Sequence, residues 1–175
     1  MKKTYFKLTK INDEVAELCF FVNGINIMEF IQDGEHRIVT WDFDDLVEYF
    51  VINLSKIMTE DKFPFDVEGN TAAELDNNVE IDAEKLSEDE WFSQHEKIYN
   101  WRQIHSWLHA SGGAILPEVY FRRVNDKIEI SWWTSNLYED VEFVNDDGFY
   151  YCDLKEFESA VRQFIQDYKK LDLKG

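Results

Sequence analysis

The sequence is poor in cysteine and has no long apolar run. Cys19 and Cys152 are the two cysteines among 175 residues, and they form no CxxC pair. A disulfide framework is therefore not expected, and we interpret both as small core residues in a reducing compartment. No stretch of 18 apolar residues occurs, and the basic start is followed by alternating apolar residues. We expect neither a signal peptide nor a membrane span, and we predict a cytoplasmic protein.

Positive charge is also scarce. Eighteen Lys and Arg stand against 36 Asp and Glu, which gives a net charge of −18. Nucleic acids and anionic membranes repel such a surface. We therefore predict no direct nucleic-acid binding and no membrane binding, but a protein partner with a basic surface.

The acidic residues are concentrated between Glu60 and Glu96. Thirteen acids and two lysines lie there, so this segment carries eleven of the eighteen net negative charges. One interpretation is a solvated loop or helix face. The other is a partner-binding array, and its candidate residues are Asp76, Glu80, Asp82 and Glu84.

Apolar and aromatic residues are abundant, at 45% and 16% of the chain. This content is sufficient for a full hydrophobic core at this length. No repeat, low-complexity tract or Gly/Ser linker divides the sequence. We predict a single α+β domain over residues 1–175, with an acidic irregular segment at about 60–87.

The first elements follow from apolar spacing. Alternation predicts a strand over 4–9, and an apolar run predicts a second over 15–22 that ends at the Asn23-Gly24 turn. A third strand is predicted over 25–31, after this turn. Apolar residues at helical offsets predict an amphipathic helix over 43–59.

Two further helices are indicated by capping patterns. Ser87 followed by Glu90 is a capping box, which predicts a helix over about 88–109. Asp153 followed by Glu156 predicts the start of another helix with an apolar stripe.

Between these helices the pattern is that of hairpins. Strands are predicted over 118–124 and 127–133, joined by a two-residue loop at Asn125-Asp126. A second hairpin is predicted from 141–144 and 149–152. The predicted fold is α+β, an antiparallel sheet of hairpins packed with about three amphipathic helices.

No catalytic motif is present. The sequence has no GxSxG, no P-loop and no Gly-rich dinucleotide turn. His105 and His109 have the spacing of a zinc-binding pair, but Ser106 stands where a metalloprotease helix has Glu, and no third ligand is indicated. We predict that the protein is not an enzyme and has no cofactor and no metal, with His105 in a structural role. A hydrolase with an unrecognised site stays open as an alternative.

Arg122 and Arg123 are adjacent in a predicted strand, so their side chains should point to opposite sides of the sheet. The one that points inward needs a carboxylate partner. We predict a structural ion pair.

The block from Trp101 to Trp132 contains a distinctive series of motifs. They are Trp101 with His105-Ser106, then Gly112-Gly113, then Leu116-Pro117-Glu118-Val119-Tyr120-Phe121-Arg122-Arg123, then alternation that ends at Ser131-Trp132. This block, about a fifth of the chain, resembles the region upstream of the peptidase in some ImmA/IrrE-type metallopeptidases. The HExxH peptidase motif itself is absent, so the resemblance implies an accessory regulatory domain and not proteolysis. Trp101, His105, Arg122, Arg123 and Trp132 are expected to form its structural motif.

Two functions follow as hypotheses. The first is a non-catalytic recognition or regulatory domain that binds a protein partner in phage defence or mobile-element control. The alternative is an acidic DNA-mimic inhibitor of a nucleic-acid-binding enzyme, such as a restriction or CRISPR effector, whose carboxylates stand in for phosphates.

Overall fold

A computed structural model describes residues 2–174. Within them the chain forms ten strands and four α-helices. The strands are β1 Tyr5–Lys10, β2 Ala16–Val22, β3 Ile25–Asn26, β4 Glu29–Gln32, β5 Glu35–Ile38, β6 Thr40–Trp41, β7 Glu118–Val124, β8 Lys127–Trp133, β9 Val141–Phe143 and β10 Gly148–Asp153. The helices are α1 Asp44–Ile57, α2 Ala72–Asn77, α3 Glu88–His105 and α4 Leu154–Leu171.

The strands form three antiparallel sheets. One has the order β1-β2-β3, with β6 also paired to β2; the second is β5-β4-β9 and the third is β10-β8-β7. The predicted α+β class is confirmed.

The strand predictions hold where pairing is local. β7 and β8 are joined at Asn125-Asp126, with Val124 opposite Lys127, as predicted. The strand predicted over 25–31 is instead split into β3 and β4. The Asn26 side-chain oxygen accepts hydrogen bonds from the backbone amides of Phe20 and Met28, and these replace backbone pairing at this point.

The second predicted hairpin is wrong. β9 pairs with β4, and β10 pairs with β8, so the two strands belong to different sheets. β5 and β6 were not predicted, although the Asp33-Gly34 turn, with both residues at positive φ, closes the β4–β5 hairpin.

α1 and α4 form as predicted because each has a continuous apolar side. α1 buries Leu46, Phe50 and Leu54, while α4 buries Phe157 and Phe164. These side chains meet β1, β2 and β7 in an aromatic core.

The predicted capping box of α4 is not formed. Asp153 is the N-cap residue but makes no side-chain cap, and it pairs with Lys127 instead. The Glu156 carboxylate accepts the backbone amides of Lys3 and Thr4, at 2.9 and 2.7 Å. α4 is thereby fixed to the start of β1.

α3 is shorter than the predicted helix over 88–109. It ends at His105, and Ser106 is extended and bridges to Tyr120 of β7. A short 3-10 turn follows at Leu108–Ala110, so His105 and His109 are not one turn apart on a helix.

The segment at about 60–87 is not irregular throughout. It contains α2, which packs with Phe63, Ile98, Trp101 and Tyr120 in a second, smaller core. The acidic segment is therefore anchored on β7 and β8.

Both cysteines are free and buried. Burial raises the pKa of both thiols, that of Cys152 to about 11. Among residues 2–174, no helix combines the length and apolar character that crossing a membrane requires.

Candidate partner-binding site

The first ten residues of α3 project from the domain. None of residues 88–97 is buried, and the helix meets the small core only from Ile98 onward, through Trp101 and His105. Phe92 and Tyr99 are 57% and 54% exposed.

These two rings lie seven residues apart, about two helical turns, and so share one side of α3. A shallow groove of about 680 Å³ runs along this side. We call it the α3 face; it comprises Asp89, Phe92, His95, Glu96, Tyr99 and Arg102. It offers apolar area, with the Glu96 carboxylate between the two rings and the Asp89 carboxylate before Phe92.

Local interactions hold the projecting turns helical. The Glu90 amide donates to Ser87 Oγ at 3.3 Å and the Ser87 amide donates to Glu90 Oε2 at 2.9 Å, so the predicted capping box is present. The hydrogen bonds from Ser87 lower the pKa of Glu90. Acids in the first turn also suit the helix dipole. The Trp91 and His95 rings lie 3.9 Å apart and stiffen the next turn.

The surroundings of the α3 face are strongly negative. Residues 80–97 contain seven acids and two lysines. Lys85 pairs with Asp82 at 2.9 Å. Glu80 and Glu84 are exposed beside this pair.

One of the four carboxylates expected to bind a partner lies inside the protein. Asp76 is 4% exposed, and both of its carboxylate oxygens accept from Arg102 Nε, at 2.9 and 3.0 Å. Tyr120 Oη lies 2.6 Å from Asp76 Oδ2. This correction separates Asp76 from Glu80, Asp82 and Glu84, so the four do not form one exposed row.

The base of α3 is fixed by His105, which is 1% exposed. Its Nδ1 lies 2.8 Å from the Phe121 carbonyl oxygen, and its Nε2 lies 3.2 Å from Asp61 Oδ2. Both ring nitrogens are engaged, and the ring joins α3 to β7. His109 lies on the surface, and partial burial and the Arg102 charge lower its pKa.

Arg122 and Arg123 point to opposite sides, and the ion pair predicted for one of them is present. Arg122 donates to Glu129, which is fully buried. Arg123 donates to the carbonyls of Met58 and Asn125. Glu129 was missed, although the two-residue loop fixes the register that places it opposite Arg122.

The residues of the resemblance block are divided between the two cores. Trp101 lies in the small core and Trp132 in the main core, where its Nε1 donates to the Asp146 carbonyl. Gly112 and Gly113, both at positive φ, turn the chain against Trp41.

Sequence reasoning also missed Phe92 and Tyr99. The apolar residues of α3 are spread around the helix, so no apolar stripe distinguishes an exposed aromatic from a core residue. In the described part of the chain, no group of three or more His, Cys, Asp or Glu is placed to hold a metal ion.

No family model, no curated protein and no solved structure matches this chain. The resemblance to the domain upstream of ImmA/IrrE-type peptidases therefore stays a prediction.

Proposed function

We propose that the protein is a non-catalytic recognition module that binds a protein partner with a basic surface through the α3 face. The observation that carries the proposal is the exposure of Phe92 and Tyr99 on a helix of which none of the first ten residues is fully buried. A role in phage defence or mobile-element control belongs to the same proposal and rests on the resemblance alone.

The composition of the α3 face favours a protein partner. Aromatic residues are enriched at the centres of protein interfaces, where they supply most of the binding energy. Here each ring is adjacent to carboxylates, Phe92 to Asp89 and Tyr99 to Glu96, at helical spacing. A partner with an apolar pocket rimmed by Lys or Arg would complement both features.

The charge distribution argues against a second copy of this chain as the occupant. Two α3 faces brought together would oppose the same acidic segments, and like charges across an interface are unfavourable.

The alternative of a DNA-mimic inhibitor has weaker support. Such a protein needs ordered rows of exposed carboxylates, whereas Asp76 is buried against Arg102 and Asp82 is paired with Lys85. Glu80 and Glu84 are the two of the proposed four that remain exposed without an ion pair in residues 2–174.

Photo-crosslinking from two matched positions tests the proposal. Phe92 and Phe149 are exposed to nearly the same extent, 57% and 55%, but Phe149 lies on β10 and is not part of the α3 face. Benzoylphenylalanine at 92 should yield a discrete protein adduct in the source cells, whereas benzoylphenylalanine at 149 should not.

The adduct then supplies the partner for a binding measurement with purified proteins. Phe92→Ala and Tyr99→Ala should each weaken the affinity about tenfold or more, as interface hot spots do, while Phe149→Ala should leave it unchanged. No adduct from position 92, or unchanged affinity in both α3 variants, would contradict the proposal.

A further inference from the structure

The Tyr120 hydroxyl lies between two carboxyl groups. Its Oη is 2.6 Å from Asp76 Oδ2 and 2.6 Å from Glu118 Oε1. Both distances are at the short end of the hydrogen-bond range for two oxygens. A phenol has a single hydrogen and can donate to one of them only. The second contact needs another proton if it is to be attractive.

Asp76 is poorly suited to hold that proton. Both of its oxygens accept from Arg102 Nε, and pairing with a guanidinium favours the ionised carboxylate. Among the described residues, the Glu118 carboxyl makes its one hydrogen bond to Tyr120 and pairs with no cation.

We infer that Glu118, Tyr120 and Asp76 form a proton-binding site, in which a protonated Glu118 donates to Tyr120 and Tyr120 donates to Asp76. The protons are ordered along one line from Glu118 to the Arg102 guanidinium. This inference goes beyond the proposed function and does not rest on it.

The net electrostatic effect of the site favours the protonated form of Glu118. Burial is the largest cause and raises its pKa, the Asp76 charge also raises it, and the Arg102 charge lowers it. The Tyr120 hydrogen bond lowers the pKa when the phenol donates to an ionised Glu118, and this effect is reversed when Glu118 donates to Tyr120. Burial and the two carboxyl groups hold the pKa of Tyr120 well above its ordinary value, so the phenol keeps its hydrogen.

Charged and titratable groups reach this site from each neighbouring element. They are Asp76 on α2, Arg102 on α3, His109 in the 3-10 turn, Tyr138 in the loop before β9, and the Arg122–Glu129 pair on β7 and β8. His109 and Tyr138 make no hydrogen bond to Glu118; the Tyr138 hydroxyl donates to the Leu116 carbonyl.

Loss of the Glu118 proton would leave two carboxylates around a phenol with one hydrogen. One contact would then become repulsive, at the point where α2, α3 and β7 meet. Because the pKa of Glu118 is higher in the folded than in the unfolded chain, its contribution to stability is fully present below pH 4.5, its ordinary value. That contribution is lost as pH rises through the folded-state pKa.

The direct test is a carboxyl ¹³C NMR titration of the wild-type protein labelled at Glu, with Glu118 assigned by the resonance missing in Glu118→Gln. The Glu118 midpoint should lie above 4.5, its ordinary value. Glu80 and Glu84, which are exposed, provide the internal reference. A Glu118 midpoint at or below that of the reference residues would overturn the inference.

Stability against pH gives a second measurement. The side-chain amide introduced by Glu118→Gln can donate to Tyr120 at every pH. The free energy of unfolding of this variant, relative to that of the wild type, should therefore increase as pH rises above 4.5. Glu80→Gln is the matched control and should show no such trend. A constant difference between Glu118→Gln and wild type across pH 4–8 would refute the proton site even if the variant is destabilised.

Discussion

Glu129 receives two hydrogen bonds from Arg122 across the β7–β8 hairpin, from Nε at 2.9 Å and from Nη2 at 2.7 Å. The other carboxylate oxygen, Oε1, accepts the Ala72 amide at 2.6 Å, at the first residue of α2. The fully buried Glu129 carboxylate therefore links β7 to β8 through Arg122 and also accepts an amide at the start of α2, 57 residues away in sequence.

Removal of this carboxylate should strongly destabilise the folded protein. Glu129→Ala leaves the Arg122 guanidinium and the Ala72 amide without their acceptor, and we expect a loss of about 3–5 kcal/mol in the free energy of unfolding. Urea denaturation measures it, with the exposed Glu142→Ala as control. A loss below about 1 kcal/mol would mean that the pair is not a main support of α2.

His105→Ala should lower stability by about 2–4 kcal/mol, because a buried ring with two hydrogen-bonded nitrogens is removed. His109→Ala, at the surface, should change it by less than about 0.5 kcal/mol. Thermal unfolding of both variants tests this. An unchanged melting temperature in His105→Ala, with binding abolished, would instead mark a functional residue.

Ser87→Ala should act locally. Loss of the capping hydroxyl costs about 1 kcal/mol of helix stability. None of residues 88–97 is fully buried, so the loss should appear as faster hydrogen exchange near Glu90 rather than as global unfolding. Ser93→Ala, in the same helix but not at the cap, is the control. If Ser87→Ala lowers the free energy of global unfolding by as much as it lowers the free energy of local opening near Glu90, the first turns of α3 unfold together with the core.

The exposed acids should affect the rate of association more than the lifetime of the complex. Glu80→Lys with Glu84→Lys should slow binding to a basic partner several-fold at low salt and leave dissociation nearly unchanged. Glu139→Lys with Glu142→Lys, both exposed and outside residues 80–97, is the matched control. A large rise in the dissociation rate, or competition by short duplex DNA, would favour the DNA-mimic hypothesis.

Sequence reasoning succeeded where the determinants are local. The periodicity of α1 and α4, the Ser87–Glu90 capping box and the two-residue loop between β7 and β8 each depend on residues a few positions apart. It failed for β9 and β10, because two short strands adjacent in sequence pair with partners far along the chain.

The same limit applies to the candidate site. α2 is only six residues long, and the groups that position it, Glu129 and Ser131, follow it by more than fifty residues. Asp76 looks like any other acid of an acidic segment until Arg102 and Tyr120 are brought to it by the fold. Whether a charged side chain is buried depends on such distant partners, and the residues next to it in sequence do not indicate it.

The attachment of α4 to the start of β1 determines when this protein can finish folding during synthesis. Lys3 and Thr4 leave the ribosome about 150 residues before Glu156, which accepts their amides. At roughly 5–20 residues per second, the wait is on the order of 8–30 s. Throughout that interval the apolar side of β1, with Phe6 and Leu8, has no α4 to cover it. Until α4 has left the ribosome, the apolar side of β1 is therefore a site at which the nascent chain can aggregate or bind chaperones that recognise apolar segments.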